Sequence, residues 1–290
     1  MSNPGKGGKP AVPDLCPRSP DFRRLDGPGP AALRMVHIGS EMVTLRWGGN
    51  QIMNTYWRAY CVDRAGLSLR WSGGRLDYAR DAITVIPAWL PFFFMPKLGI
   101  GHAFIHFEVP WLSRTATEEC FPAPYHLHDD ALLERLRVLA RDVAWARRDD
   151  AVAHLEGQRI AYATITDALE RLTPVQRARC LPSSRGALAG ILAHIEDHLH
   201  EALSVAALAQ AAGQSVDAFH RAFRAAFGQT PAQFLIERRV ARAAALLTAG
   251  DQTLETIARA CGFPNRNYFT RIFTRRMGTP PAAYRGLHRS

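Results

Sequence analysis

One segment of this chain occurs twice. Residues 204–234 read SVAALAQAAGQSVDAFHRAFRAAFGQTPAQF, and residues 253–284 read TLETIARACGFPNRNYFTRIFTRRMGTPPAAY. Leu208-Ala209 matches Ile257-Ala258, and Gly213 matches Gly262. The second copy then gains one residue, after which Phe219, Arg221, Phe223, Gly228 and Pro231 match Phe269, Arg271, Phe273, Gly278 and Pro281, and Phe234 matches Tyr284. A repeat at this period is one supersecondary unit used twice, so it constrains the C-terminal third more tightly than any composition does.

Each copy has the physics of two helices joined by a tight turn. Ala209 and Ala258 are small enough for a second helix to approach closely. Four positions later, Gly213 and Gly262 permit the positive φ that such a turn needs. Ser215 and Asn265 then stand where a side-chain oxygen can accept from the first N–H groups of a new helix. Phe219, Phe223 and Phe227, like Phe269, Phe273 and Met277, recur every four residues and form a buried stripe.

The opposite face carries the chemistry. In the first copy it offers Asp217, His220, Arg221 and Arg224, and in the second Arg266, Asn267, Thr270, Arg271, Arg275 and Arg276. Arg can bond guanine O6 and N7, and Asn can bond adenine N6 and N7. Ser215, Arg224, Asn265, Thr274 and Arg275 have side chains of the kind that grip phosphates and fix register. One such helix reads equally well as a solvated face. Two copies, both after an A-x-x-x-G turn, point to double-stranded DNA. Between them, residues 231–247 are predicted to form one helix, with Pro231 in its first turn and Gly250 just past its end. If both units read one duplex face, their second helices should sit ~34 Å apart, one turn of B-DNA.

The rest of the chain reads differently. Short β-rich runs at 33–38, 42–47, 55–62, 67–71, 82–86 and 103–109 are punctuated by Gly and Asp, as in a sandwich or barrel. From 129 to 173 the pattern turns helical. Leu132, Leu136, Leu139 and Val143 mark one stripe, and a second helix is expected over 159–172. These helices either pack on the β-rich part or form a dimer seam. Residues 181–186 read as a linker, and residues 1–30, rich in Gly and Pro, as a disordered tail. The expected fold class is α+β, divided into a tail at 1–30, a β-rich part at 31–128, a helical connector at 129–181 and an all-α part at 187–290.

The formal net charge is +10 and the pI about 9.9, which favours a polyanionic partner without choosing between nucleic acid and an anionic membrane. The most apolar stretch, 82–107, is broken by Pro87, Pro91 and Pro96 and charged by Lys97, so no membrane span is expected. Five scattered cysteines without C-x-x-C spacing suit a reducing compartment, and a cytoplasmic location is expected. The chain has no P-loop and no G-x-S-x-G. His102, His106 and Glu108 share one face of a single strand, with ends ~20 Å apart at fullest extension, a poor metal triad. No enzyme and no cofactor are expected. Trp47, Tyr56, Trp57, Tyr60 and Trp71 either line a small-molecule pocket or form core.

Over about 188–286 the chain resembles the AraC/XylS family of bacterial transcription regulators. The resemblance rests on the doubled unit, on R-x-x-x-A-x-x-L-L at Arg239, Ala243, Leu246 and Leu247, and on GFPNRNYFTRIFTRRMGTPPAAYR at 262–285. It implies base-facing positions at Asp217, His220, Arg221, Arg266, Asn267, Thr270 and Arg271. Pro264 before the second base-facing helix, and the acidic Asp217, depart from the family pattern. The resemblance also implies a cupin-like barrel or sandwich that binds a small-molecule effector, with Trp47, Trp57, His102 and His106 as candidate pocket residues, and it implies a homodimer that contacts RNA polymerase. A DNA-binding domain fused to a cupin-type enzyme, or a constitutive DNA binder without an effector, are the alternatives.

Overall fold

The computed structural model describes residues 33–44, 48–49, 51–143, 151–180 and 188–288; the expected tail at 1–30, Trp47 and the expected linker at 181–186 lie outside them. Strand alternation divides the N-terminal part into two layers. In β3 (Trp57–Val62) every residue is buried. Trp57, Ala59 and Cys61 face a core shared with helices, while Tyr60 and Val62 face a second core between two sheets.

One sheet has the order β1 (Arg34–Met42), β8 (Gly101–Glu108), β3, β6 (Ile83–Ile86) and β9 (Tyr125–Leu127). The other has the order β2 (Gln51–Ile52), β7 (Phe92–Met95), β4 (Ser68–Trp71) and β5 (Gly74–Asp77). Neighbouring strands in both run antiparallel. The architecture is therefore an antiparallel sandwich. The run expected at 42–47 does not continue as a strand where it is described: Met42 ends β1, and the Val43 amide donates to the Ile100 carbonyl at 2.8 Å.

The sandwich leads through α1 (Arg114–Cys120) to α2 (Asp130–Val143) and α3 (Ala151–Glu170). Leu132, Leu136 and Leu139 are buried in the core that contains Trp57, Ile105 and Phe107, so this stripe packs on the sandwich and is not an exposed seam. Helix α3 begins at Ala151 rather than at the expected residue 159. Val152 and Leu155 in its first turns are 73% and 62% exposed, so no inward stripe announces them in the sequence.

After α4 (Pro174–Cys180) come α5 (Ala189–Asp197), α6 (Val205–Ala211), α7 (Val216–Phe227), α8 (Pro231–Ala249), α9 (Leu254–Ala260), α10 (Arg266–Met277) and α11 (Pro281–His288). Helix α8 is the expected linking helix. Thr230 and Gln233 cap it reciprocally and Pro231 opens it. Among the described residues no helix is long and apolar enough to cross a membrane.

The two helical units are anchored differently. The first buries Phe219, Phe223 and Phe227 with Ile191, Leu199 and Leu208 in a core of its own. The second, with Ile257, Phe269 and Phe273, belongs to the same continuous core as the sandwich and α2. The seam is closed by buried charge. Arg238 of α8 donates from Nη2 to Glu108 of β8 at 3.1 Å and from Nε and Nη2 to Glu196 of α5. Arg34 of β1 reaches the same two carboxylates, at 2.6 Å from Glu196 and 3.4 Å from Glu108. Burial opposes the charge on Glu196, but Arg238 and Arg34 outweigh it and hold its carboxyl below the ordinary 4.5. Burial likewise opposes the charge on Arg238, and Glu196 and Glu108 hold it above the usual range.

Arg238→Ala strips the buried Glu108 and Glu196 of their main partner and should cost about 3–5 kcal/mol in urea unfolding. Because the pKa of Glu196 is depressed on folding, its contribution is complete above about pH 4.5 and is lost as pH falls below that. Acid titration of stability should therefore be shallower in the variant than in the wild type.

Candidate nucleic-acid interface

The two turns repeat bond for bond. In the first, the Gly213 amide donates to the Gln210 carbonyl at 2.9 Å and the Gln214 amide to Ala209 at 3.0 Å. In the second, Gly262 donates to Arg259 at 3.0 Å and Phe263 to Ala258 at 2.9 Å. Gly213 and Gly262 have φ of +64° and +74°, the left-handed conformation the spacing predicted. The following helices start as expected: Ser215 Oγ accepts from the Ala218 amide at 3.3 Å, and Asn265 Oδ1 accepts from the Tyr268 amide at 2.8 Å. Both caps use an oxygen, which leaves the Ser215 hydroxyl proton and the Asn265 amide protons for an external acceptor.

The inner faces repeat as well. Phe234, at the start of α8, packs edge-on against Phe223 with centroids 5.4 Å apart, and Tyr284 of α11 does the same to Phe273 at 5.3 Å. Each second helix is thus wedged between its partner helix and the helix that follows, which fixes the rotation of its outer face.

On α7 that face presents Asp217, Arg221 and Arg224 exposed and His220 half-buried. On α10, Arg266, Asn267, Thr270, Arg271, Thr274 and Arg275 line a single open depression. Six of the expected residues of the second unit therefore form one contiguous surface. Arg271 lies with its guanidinium carbon 5.3 Å from the centre of the Tyr268 ring, which steadies the long side chain. Thr274 donates its hydroxyl to the Thr270 carbonyl at 2.7 Å, so that proton is spent within the helix.

Arg276 departs from the expected outer face. Its Nη1 lies 3.7 Å from Glu237 of α8, and its carbonyl accepts from Arg114 at 3.3 Å. It fastens α10 to α8 and to the sandwich side. Pairing partners 39 to 162 positions away leave no local signal in the sequence.

Arg239, which the sequence placed only on the linking helix, has a definite task. Its Nε donates to the Leu199 carbonyl at 3.1 Å and its Nη2 to Glu201 at 2.6 Å. The same Leu199 oxygen abuts Gly262, where an added Cβ would lie 2.2 Å from it. One carbonyl thus joins the approach to the first unit, the linking helix and the second turn.

The candidate pocket residues of the sandwich are dispersed. Trp57 lies in the helix-facing core, edge-on to Phe121 at 5.0 Å. His102 and His106 belong to the other side of β8, facing the layer between the sheets. His102 bonds the Glu41 carbonyl at 3.0 Å and stacks on Phe104; burial lowers its pKa to about 4. His106 bonds the Tyr60 hydroxyl at 3.1 Å. Along the seam, a cleft of about 350 Å³ opens between β1, α3 and α5, with Arg34, His154, Leu192 and Glu196 on its walls.

Comparison with known proteins gives a consistent result. The family described as a helix-turn-helix domain matches residues 208–286. The chain is 34% identical over 67 residues to the MmsAB operon regulatory protein of Pseudomonas aeruginosa, covering 23% of this chain and 22% of that one. It is 38% identical over 63 residues to the transcriptional activator RhaR of Cronobacter sakazakii, covering 22% of each. The chain thus spans about a fifth of the length of either relative. Among solved structures, ToxT from Vibrio cholerae superposes over 89% of this chain and 100% of its own, with TM-score 0.54 at 9% identity, a likeness of fold.

Gly213→Ala should cost about 1–2 kcal/mol, the penalty of a left-handed non-glycine residue. Gly262→Ala should cost distinctly more, because its methyl would also meet the Leu199 carbonyl. Urea unfolding of the two variants side by side checks the order.

Proposed function

We propose that this chain, whose C-terminal segment matches a helix-turn-helix domain family and resembles that of AraC/XylS regulators, is a sequence-specific DNA-binding transcription regulator. The observation that carries the reading is the repeated unit with outward polar faces, above all the continuous face of α10. In this reading residues 31–128 form an effector domain, 129–181 a connector and 187–290 the DNA reader, and the protein acts in the cytoplasm. Asp217, His220 and Arg221 on α7, and Arg266, Asn267, Thr270 and Arg271 on α10, meet base edges in successive major grooves. Ser215, Arg224, Asn265, Thr274 and Arg275 meet phosphates; Thr274 does so by giving up its bond to Thr270. The acidic Asp217 suits a cytosine N4 donor rather than a phosphate.

The names of the two relatives, an operon regulatory protein and a transcriptional activator, support the same reading. An effector would bind in the sandwich, where His102 and His106 face the layer between the sheets. Its signal would reach the reader through the seam at Glu108, Glu196 and Arg238. A homodimer would use the outward side of α3, where Val152 and Leu155 stand exposed, and contact with RNA polymerase would follow on bound DNA.

The test is fluorescence anisotropy on a duplex selected from a random pool, against a scrambled duplex. Arg271→Ala should weaken the selected duplex by ~1–3 kcal/mol and leave the scrambled one nearly unchanged, as loss of a bidentate guanine contact would. Arg224→Ala should weaken both alike. Wild-type binding should fall steeply with salt. Equal losses on both duplexes for Arg271→Ala would contradict its base-reading role, and failure to select any duplex would contradict the proposal.

A further inference from the structure

Arg58 sits in the middle of the five-stranded sheet, opposite His106 of β8 and Ile86 of β6, and is only 2% exposed. Its side chain crosses toward the other sheet. The guanidinium carbon lies 4.8 Å from the centre of the Tyr56 ring and 5.0 Å from that of Phe92 on β7. The hydroxyl of Tyr60, on the same face of β3, contacts His106 at 3.1 Å. Nη1 has no hydrogen-bond partner.

No ion pair among the described residues includes Arg58. The contrast with Arg238 is sharp: that buried cation holds two glutamates. The carboxylate of Glu108 is already taken by Arg238 and Arg34. A buried charge without a counter-charge is expensive, and stacking on two rings offsets only part of that cost. A lysine could escape by losing its proton, but a guanidinium cannot.

A second unspent donor lies in the same layer. Tyr78 is 2% exposed, and its hydroxyl has no partner. Its ring stands 6.0 Å from Tyr60 and 6.4 Å from Phe94. Around these two donors the layer is apolar, with Leu69, Ile86, Phe92 and Phe94. Two free donors, one of them cationic, in an apolar setting call for an acceptor with negative charge and a hydrophobic body.

We infer that the layer between the two sheets binds a small carboxylate with an apolar body, the carboxylate accepting from Arg58 Nη1 and the Tyr78 hydroxyl. The bound anion supplies the counter-charge that Arg58 lacks. This rests on the reading of the sandwich as the effector domain and gives that effector its chemical class. Occupancy would draw on β3 and β8 together, and β8 ends at Glu108, the carboxylate that holds Arg238.

The test uses the full chain, with thermal unfolding followed by intrinsic fluorescence. The probes are benzoate and the straight-chain carboxylates from acetate to decanoate, each beside its uncharged amide. In the wild type, carboxylates with an apolar body should raise Tm in proportion to the logarithm of concentration, and the amides should not. Arg58→Met should keep the wild-type circular dichroism, unfold without ligand at or above the wild-type Tm, and lose the carboxylate response. Tyr78→Phe should fold normally and weaken carboxylate binding roughly tenfold, as one charge-assisted hydrogen bond would.

No response to any carboxylate, equal responses to acids and amides, or an undiminished response in Arg58→Met would overturn the inference. So would a marked fall in the ligand-free Tm of Arg58→Met, which would make Arg58 a structural stack between Tyr56 and Phe92. Anisotropy on the selected duplex, run on the same samples, separates the two levels. Intact DNA binding with no carboxylate response rejects the anion site alone, whereas absent DNA binding rejects the wider reading.

Discussion

Arg238 is the constraint on which the arrangement of this protein depends. It stands on α8, the helix that links the two helix-turn-helix units, and its guanidinium is buried between Glu108 of the sandwich and Glu196 of α5. A buried guanidinium tolerates little misplacement, because each lost carboxylate leaves a bare charge in a low-dielectric seam. The sandwich, the entry to the first unit and the linking helix are therefore brought to one geometry. Arg239, the next residue, extends the hold by tying α8 to the Leu199 and Glu201 carbonyls. Two consecutive arginines thus organise both sides of one helix.

The consequence is an asymmetric pair of units. The first unit closes around its own aromatic core, with Phe223, Phe227 and Phe234 in mutual contact. The second is continuous with the sandwich core and is pinned there by Asn54 to the Tyr284 hydroxyl and by Arg114 to the Arg276 carbonyl, while Glu237 of α8 holds Arg276. The sandwich thus meets the second unit through a shared core and the first through the Arg34–Glu196 pair on α5. The polar faces are unequal too. The second is rich in arginine over one open surface, whereas the first combines arginine with Asp217 and His220.

What the sequence disclosed follows from the range of the interactions involved. The repeated turns, their caps at Ser215 and Asn265 and the four-residue aromatic stripes are local, and each stands where its spacing places it. The β-rich character was legible from short β-rich runs between Gly and Asp turns, but four strands were not. β7 is hidden in a proline-broken apolar run that signals burial without a period, and β2, β5 and β9 have two to four residues each. Helices α1 and α4 are similarly short. The hardest features were those set by distant partners. Arg276 turns inward because of Glu237 and Arg114, and Arg58 stands out only because no acid reaches it, a fact that exists only in three dimensions.

The central claim is that two helix-turn-helix units, held by one helix, read one face of a duplex. Hydroxyl-radical footprinting of the full chain on its selected duplex tests it most directly. Two protected patches are expected on the same face, centred ~34 Å or about 10 base pairs apart, with Arg221→Ala weakening one and Arg271→Ala the other. A single patch, or two patches on opposite faces, would contradict it.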